Sequence, residues 1–229
     1  MPAPTLSLIM PVLDEASTIE STLASLQPLR ARGAEVIVAD GGSRDSTAAM
    51  AAALCDRVVE TPRGRARQMN AGAAAASSGA LLFLHADTRL PEGADRLIAA
   101  ALKERHHWGR FDIRLEGRHL MLPIIATAMN RRSRLSGIAT GDQALFMTRE
   151  AFAAVGGFPE QPLMEDIEMS RRLKRLSPPA CLRDKVTSSG RRWDRNGAWA
   201  TILLMWRLRF RYWRGESPET LAREYRHVR

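Results

Sequence analysis

Four short apolar runs punctuate the first 84 residues: 6–12 (LSLIMPV), 34–39 (AEVIVA), 57–60 (RVVE) and 80–84 (ALLFL). Val, Ile and Leu in continuous runs, without polar alternation, mark strands that are covered on both faces. Helical spacing fills the gaps between them. Residues 16–29 set Ile19, Leu23 and Leu26 four and three apart, while 44–54 and 65–76 are Ala-rich and open after Ser43 and Gly64. Alternating strand and helix predicts an α/β protein with a parallel sheet, right-handed crossovers and helices on its faces. Further along, the pattern predicts helices at 92–105, 119–130, 149–154 and 164–175 and strands near 109–115 and 143–148. A long helix at about 197–213 and a short one after Ser217-Pro218 follow, with no internal repeat or low-complexity linker.

In a parallel sheet, ligands bind beyond the carboxyl ends of the strands. Strand one runs into Asp14-Glu15, strand two into Asp40-Gly41-Gly42-Ser43, and the fourth run into His85-Ala86-Asp87, so three polar ends share one edge. Each has a plain structural explanation as well as a functional one. Asp40-Gly41-Gly42-Ser43 suits a strand-to-helix turn capped by Ser43 or Asp45, and it also suits acceptance from a nucleobase or ribose. It does not match G-x-G-x-x-G, which disfavours a dinucleotide cofactor. Asp87 can cap the turn before Pro91; with His85 two residues earlier it can also hold Mn²⁺ or Mg²⁺ that carries substrate phosphates. Glu165, Asp166 and Glu168 open a helix, where acidic groups complement the dipole and one can serve as a general base.

Composition narrows the class. The chain has 229 residues, 45% hydrophobic and 26% charged, enough for one sizeable folded domain and too apolar for disorder. Its net charge of +9 is uneven: residues 190–229 hold ten Arg against four acidic residues. Such a segment favours a polyanion: a phospholipid surface, a nucleic acid or a phosphorylated substrate. Cys55 and Cys181 lack C-x-x-C spacing, which argues against a disulfide framework or zinc site and for a reducing, cytoplasmic setting. The first residues, MPAPTLSLIMPVLDE, lack a basic signal-peptide start, and no run reaches the roughly 18 apolar residues of a spanning helix.

Four of the five Trp fall in 193–213, and Trp199, Ile202, Leu203, Trp206, Phe210 and Trp213 recur at helical spacings with arginines interleaved. Such a helix can pack on the domain, pair with a second subunit as a homodimer, or lie on a membrane through 197–213. In the last case the location extends to the inner face of the cell membrane and the acceptor could be lipid-linked.

Five ordered blocks together resemble a known family. "SLIMPVLDEASTIESTLASL", "EVIVADGGSRDST", "GRARQMNAGAAAASSGALLFLHADTRLP", "GDQALFMTREAFAAVGGFPE" and "LMEDIEMSRRLKR" are similar, in order and spacing, to a family 2 glycosyltransferase over residues 5–176. "GRARQMNAG" with "FLHADT" further resembles the subgroup associated with radical-SAM and selenium-domain proteins. The resemblance implies a GT-A, Rossmann-like sheet and a nucleotide-sugar-binding and catalytic domain at 1–190, and the composition and spacing beyond it mark a basic, Trp-rich helical extension at 191–229. It implies a donor such as a UDP- or GDP-sugar, with no nucleic-acid partner. By the same resemblance, Pro11, Leu13, Glu15 and Gly42 line the nucleotide pocket and Asp40 faces the base, although Gly41 stands where many relatives carry a second carboxylate. Arg67 and Asn70 approach the donor's phosphates or ribose. Asp87 matches the metal-binding carboxylate of the family's Asp-x-Asp element, His85 replaces the first member and binds metal or ribose, and Asp166, beside Glu165, matches the general base of the inverting members.

Two other classes stay open at this point. A nucleotidyltransferase could use a similar sheet, though its Gly-rich, Lys/Arg-containing loop after strand one is missing. A basic membrane- or nucleic-acid-binding protein without catalysis is the other.

Overall fold

β1 (Leu6–Val12) and β2 (Ala34–Asp40) pair in parallel from Leu6 opposite Ala34 to Val12 opposite Asp40. β3 (Arg57–Glu60) and β4 (Ala80–Phe83) extend this parallel block on either side, so all four apolar runs become strands. The computed structural model describes residues 5–227. Side-chain alternation along β1 separates two cores. Leu8, Met10 and Val12 join Val36 and Val38 beneath α1 (Ile19–Ala31), while Ile9 joins Ile37, Leu81 and Phe83 against α3 (Arg65–Ala75). α3 lies this close because Gly72 has no side chain: a Cβ there would fall 2.4 Å from Ile9 Cγ2.

The later strands reverse direction. β7 (Leu145–Thr148) is antiparallel to β4 and to β6 (Trp108–Glu116); β8 (Ala180–Ser189) runs parallel to β6, and β5 (Thr88–Arg89) closes antiparallel to β8. Among the described residues the sheet order is β3-β2-β1-β4-β7-β6-β8-β5. The hydrophobic pattern does not reveal β8. Its middle, Arg183–Asp184–Lys185, is charged and exposed, and its pairing with β6 shifts register between Phe111 and Asp112.

Several element ends differ from the expected ones for local reasons. α1 starts at Ile19 rather than residue 16, because the amides of Glu15 and Ala16 donate to Thr47 Oγ1 (2.8 Å) and Asp45 Oδ2 (3.1 Å) across the loops. α2 (Thr47–Ala52) is correspondingly shorter than 44–54. α4 (Ala94–Glu104) falls close to its expected span. α5 (Leu122–Ser136) replaces the expected 119–130: Pro123 sits in its first turn, where a missing N–H costs little, and Asp194 holds the amides of Arg118 and His119 outside it. α6 (Arg149–Ala154) and α7 (Glu165–Leu173) follow as expected.

α8 (Arg191–Asn196), α9 (Ala198–Trp213) and α10 (Pro218–His227) complete the chain. Ala198 and Ile202 pack on the larger core, and Leu208 joins Leu221 of α10 with Met164 and Ile167 at α7. Complete burial of one Leu side chain stabilises by about 1.5–3 kcal/mol, so this contact ties α9 firmly to α7. Among the described residues no helix is long and apolar enough to cross a membrane.

Candidate active site

The β1–α1 and β2–α2 loops are stitched together at the strand ends. Asp14 donates its amide to Ser43 Oγ (3.0 Å) and accepts at Oδ1 from the Arg44 amide (2.8 Å). Asp40, only 4% exposed, accepts at Oδ2 from the amides of Gly42 (3.1 Å) and Ser43 (3.0 Å) and at Oδ1 from the Ser43 hydroxyl. Both of its oxygens therefore serve its own turn, the plainer of the two sequence readings. Gly42 is exposed with φ +85°, which glycine alone adopts without strain. Against Gly41, Gln68 donates to Val12 O (2.7 Å) and Ala39 O (3.0 Å), fixing the ends of β1 and β2 to α3. Nothing in the sequence pattern singles out Gln68; it falls on the buried face of an Ala-rich helix.

A cleft opens beside these loops. Pro11, Phe83, Leu84, His85 and Leu145 line it from the sheet and its strand ends, Arg65 and Met69 from α3, and Gly141, Phe158, Glu165 and Asp166 from the later loops and the start of α7. The sequence reading assigns the donor contact on α3 to Arg67 and Asn70; neither is among the residues that line this cleft. Two residues along a helix turn the side chain by about 200°, so Arg65 and Met69 share the cleft face while Arg67 points away. Arg67 Nε meets Glu160 at 3.0 Å in the open. Asn70 uses both ends of its amide on the backbone of Phe158, at 2.9 Å each.

Asp166 sits in the cleft wall. Its Oδ2 accepts from the Gly141 amide (2.9 Å) and its Oδ1 from its neighbour Ile167 (2.7 Å). Burial, then the adjacent Glu165 carboxylate, pushes its pKa up to about 7 against the pull of those two amides, with Asp142 adding a little more. Glu165, 5% exposed, has Arg65 Nη1 at 3.6 Å. Partial burial opposes the charge on Arg65, but Glu165, Asp166 and Asp87 outweigh it and raise its pKa. Arg132 shows the opposite balance: burial lowers its pKa while Asp142 and Asp166 support the charge.

Gly141 has a direct part, since its amide donates to Asp166. It begins a short 3-10 turn, Gly141–Gln143, and a Cβ on it would lie 2.6 Å from His85 Nε2. That nitrogen is buried, and His85 lines the cleft wall.

Asp87 lies at the neighbouring strand end. Arg191 Nη2 reaches Asp87 Oδ2 at 3.2 Å and Glu15 Oε2 at 3.7 Å, bridging two predicted site residues with one from α8. Glu15 also accepts from Thr18 Oγ1 (3.0 Å), and Leu13 stands partly exposed between β1 and this loop. Among the described residues no three His, Cys, Asp or Glu side chains gather into a ready-made metal centre. A hard divalent cation still fits Asp87, because such ions take one or two carboxylates and draw the rest of their oxygens from phosphate and water.

Among the described residues, the non-glycine residues at positive φ are Asp14 (54°), Ala144 (49°) and Met164 (65°). They flank the β1 loop, the Gly141 turn and the Glu165–Asp166 pair. Each costs on the order of 1–3 kcal/mol, and such strain persists where the surroundings fix a functional geometry.

Residues 7–155, nearly two thirds of the chain, match the model of glycosyl transferase family 2. The chain belongs to glycosyltransferase family 2. Among curated proteins no relative matches it. Solved structures with the same fold include S. aureus TarS 1–349, at TM-score 0.66 and 17% identity over 82% of this chain and 61% of that one. The mannosyltransferase PcManGT from Pyrobaculum calidifontis, in complex with GDP-Man and Mn²⁺, gives 0.64 and 21%, over 90% of this chain and 61% of that one. Glucosyl-3-phosphoglycerate synthase from Mycobacterium tuberculosis, with Mn²⁺, UDP and glucosyl-3-phosphoglycerate, gives 0.57 and 22%, over 81% and 71%. The family 2 chain thus spans about three fifths of the first two structures, and at these identities the likeness establishes the GT-A fold.

Proposed function

We propose that the protein transfers a sugar from a UDP- or GDP-sugar to an acceptor hydroxyl, with inversion at the anomeric carbon. Asp166 carries this reading: a carboxylate in the wall of a strand-end cleft, its pKa pushed up to about 7, is matched to accept a proton near neutral pH. The acceptor's hydroxyl proton passes to Asp166 as its oxygen attacks the anomeric carbon from the face opposite the departing diphosphate. The amides of Gly141 and Ile167 keep that carboxylate aimed. Arg65, half-exposed at the cleft with its charge reinforced by three carboxylates, is suited to the donor's phosphates. The Asp40 turn and Pro11 offer the rim for the nucleoside. Within the family, the "GRARQMNAG" and "FLHADT" blocks support the radical-SAM-associated subgroup. Free, half-buried Cys55 and Cys181 support a cytoplasmic location, and an acceptor that is a lipid or lipid-linked fits the aromatic residues α9 leaves exposed.

Mn²⁺ or Mg²⁺ would be held by Asp87, and when bound it supplies positive charge to the diphosphate as the glycosidic bond breaks. Arg191 now neutralises Asp87 and Glu15. Removing it by Arg191→Ala is expected to tighten Mn²⁺ binding without nucleotide by up to about fivefold, the ~1 kcal/mol ceiling of an exposed pair. Calorimetric titration with Mn²⁺ reads this directly; unchanged or weaker binding would show that Arg191 and the cation do not share Asp87.

The reading itself is tested by a panel of UDP- and GDP-sugars, with and without Mn²⁺, scored by thermal midpoint. A native-state ligand at about 100 times its Kd adds about 2.7 kcal/mol of apparent stability. At least one donor is expected to raise the midpoint in a Mn²⁺-dependent way and then to be turned over. If every donor leaves it unmoved, the transferase reading fails.

A further inference from the structure

On α9, Trp199, Leu203, Trp206, Phe210 and Trp213 follow at intervals of four, three, four and three, and each is between 56% and 70% exposed. At 100° per residue they fall within an arc of about 80°, forming one stripe about 21 Å long. Leu208, on the opposite side, is fully buried against the α7 cluster. The helix is thus anchored through one side and offers five large apolar groups through the other. Leu120 and Ile124, 93% and 63% exposed, add to the apolar surface at the start of α5, which abuts α8 where Leu122 meets Gly190.

We propose that this stripe docks on an anionic phospholipid surface, with α9 lying in the plane of the headgroups. Charge selects the occupant. Residues 190–229 carry ten Arg and four acidic groups. Those acids are mostly engaged: Asp194 receives the amides of Arg118 and His119, Glu216 pairs with Arg211, and Glu224 pairs with Arg207 and Arg211. Among the described residues no ion pair takes Arg195 on α8 or Arg214 just after α9, and both are exposed. A second copy would bring this net-positive segment against its own image, with three of its four acidic groups already engaged. Anionic headgroups supply that complement, and Trp side chains favour the boundary where an apolar body and a polar N–H are both accommodated. The inference stands apart from the transfer chemistry, since it uses none of the cleft residues.

Flotation of the full chain with vesicles of one part phosphatidylglycerol to about three parts phosphatidylcholine tests it, with no nucleotide sugar present. Binding to these vesicles, little binding to pure phosphatidylcholine, and a blue shift of Trp emission quenched by brominated lipid are expected. The double variant Trp199→Ser/Trp206→Ser, at exposed positions that the fold tolerates, is expected to lower partitioning about tenfold at an unchanged thermal midpoint. Equal binding by the variant, or no binding by the wild type, overturns the proposal. So does a wild-type dimer in sedimentation equilibrium that the variant loses, or a preference for RNA or DNA over anionic vesicles. Because donor binding is measured separately, failure here leaves the transferase reading standing, and failure of that reading leaves this one testable.

Discussion

Asp87→Ala is expected to lower kcat/KM for sugar transfer by about 10³-fold, the several kcal/mol that a bound cation contributes to a developing charge, at ~1.4 kcal/mol per decade. The fold should survive the change. Asp87 is 27% exposed, and its contact with Arg191, itself 56% exposed, is worth ~1 kcal/mol at most. Its backbone carbonyl, which accepts from the Ser189 amide at 3.2 Å, is untouched by the substitution. The unliganded thermal midpoint should therefore move by a few degrees or less, while the Mn²⁺-dependent shift produced by a donor disappears. Asp87→Glu keeps the charge on a longer arm and should retain part of both signals. If the Ala variant keeps its metal-dependent donor response, the cation is held elsewhere and the assignment of Asp87 falls.

The parallel half of the sheet is legible in the sequence because both of its faces are covered, so hydrophobicity alone writes β1 to β4. β8 escapes because its charged centre is solvent-facing and its pairing with β6 is irregular. The site divides along similar lines. Strand-end residues such as Asp87, and the helix-opening Glu165–Asp166, can be found because position along the chain fixes where they emerge. Arg65 against Arg67 depends on helical phase, and a two-residue difference reverses which arginine faces the cleft. Asn70 and Gln68 are decided by what lies across from them, the Phe158 backbone and the carbonyls of Val12 and Ala39, which no local pattern contains. Gly141 carries no chemistry of its own in a sequence; its part appears only once His85 and Asp166 converge on it.

Asp166→Asn should combine a loss of about 10²–10⁴-fold in kcat, the usual contribution of a positioned base, with a gain in stability at neutral pH. The sign follows from linkage. The folded-state pKa of about 7 lies above the ordinary 3.8, so between these values the native protein binds the proton that the unfolded chain releases. Stability from this group is fully present below about pH 4, falls as pH rises towards 7, and is level above that. The neutral amide avoids the cost of holding a buried charge beside Glu165, while its oxygen can still accept one of the two amide bonds. The stability difference, variant minus wild type, is therefore expected to widen from pH 4 to pH 7 in denaturant titrations. Over the same window wild-type kcat/KM should climb as the base ionises, with an inflection near 7 that the variant lacks. Full activity in the Asn variant would remove Asp166 from the proton-transfer step. A stability difference that stays flat across the window would show that the carboxylate is not strained in the folded protein, and with it would go the argument that the cleft holds a base poised for neutral pH.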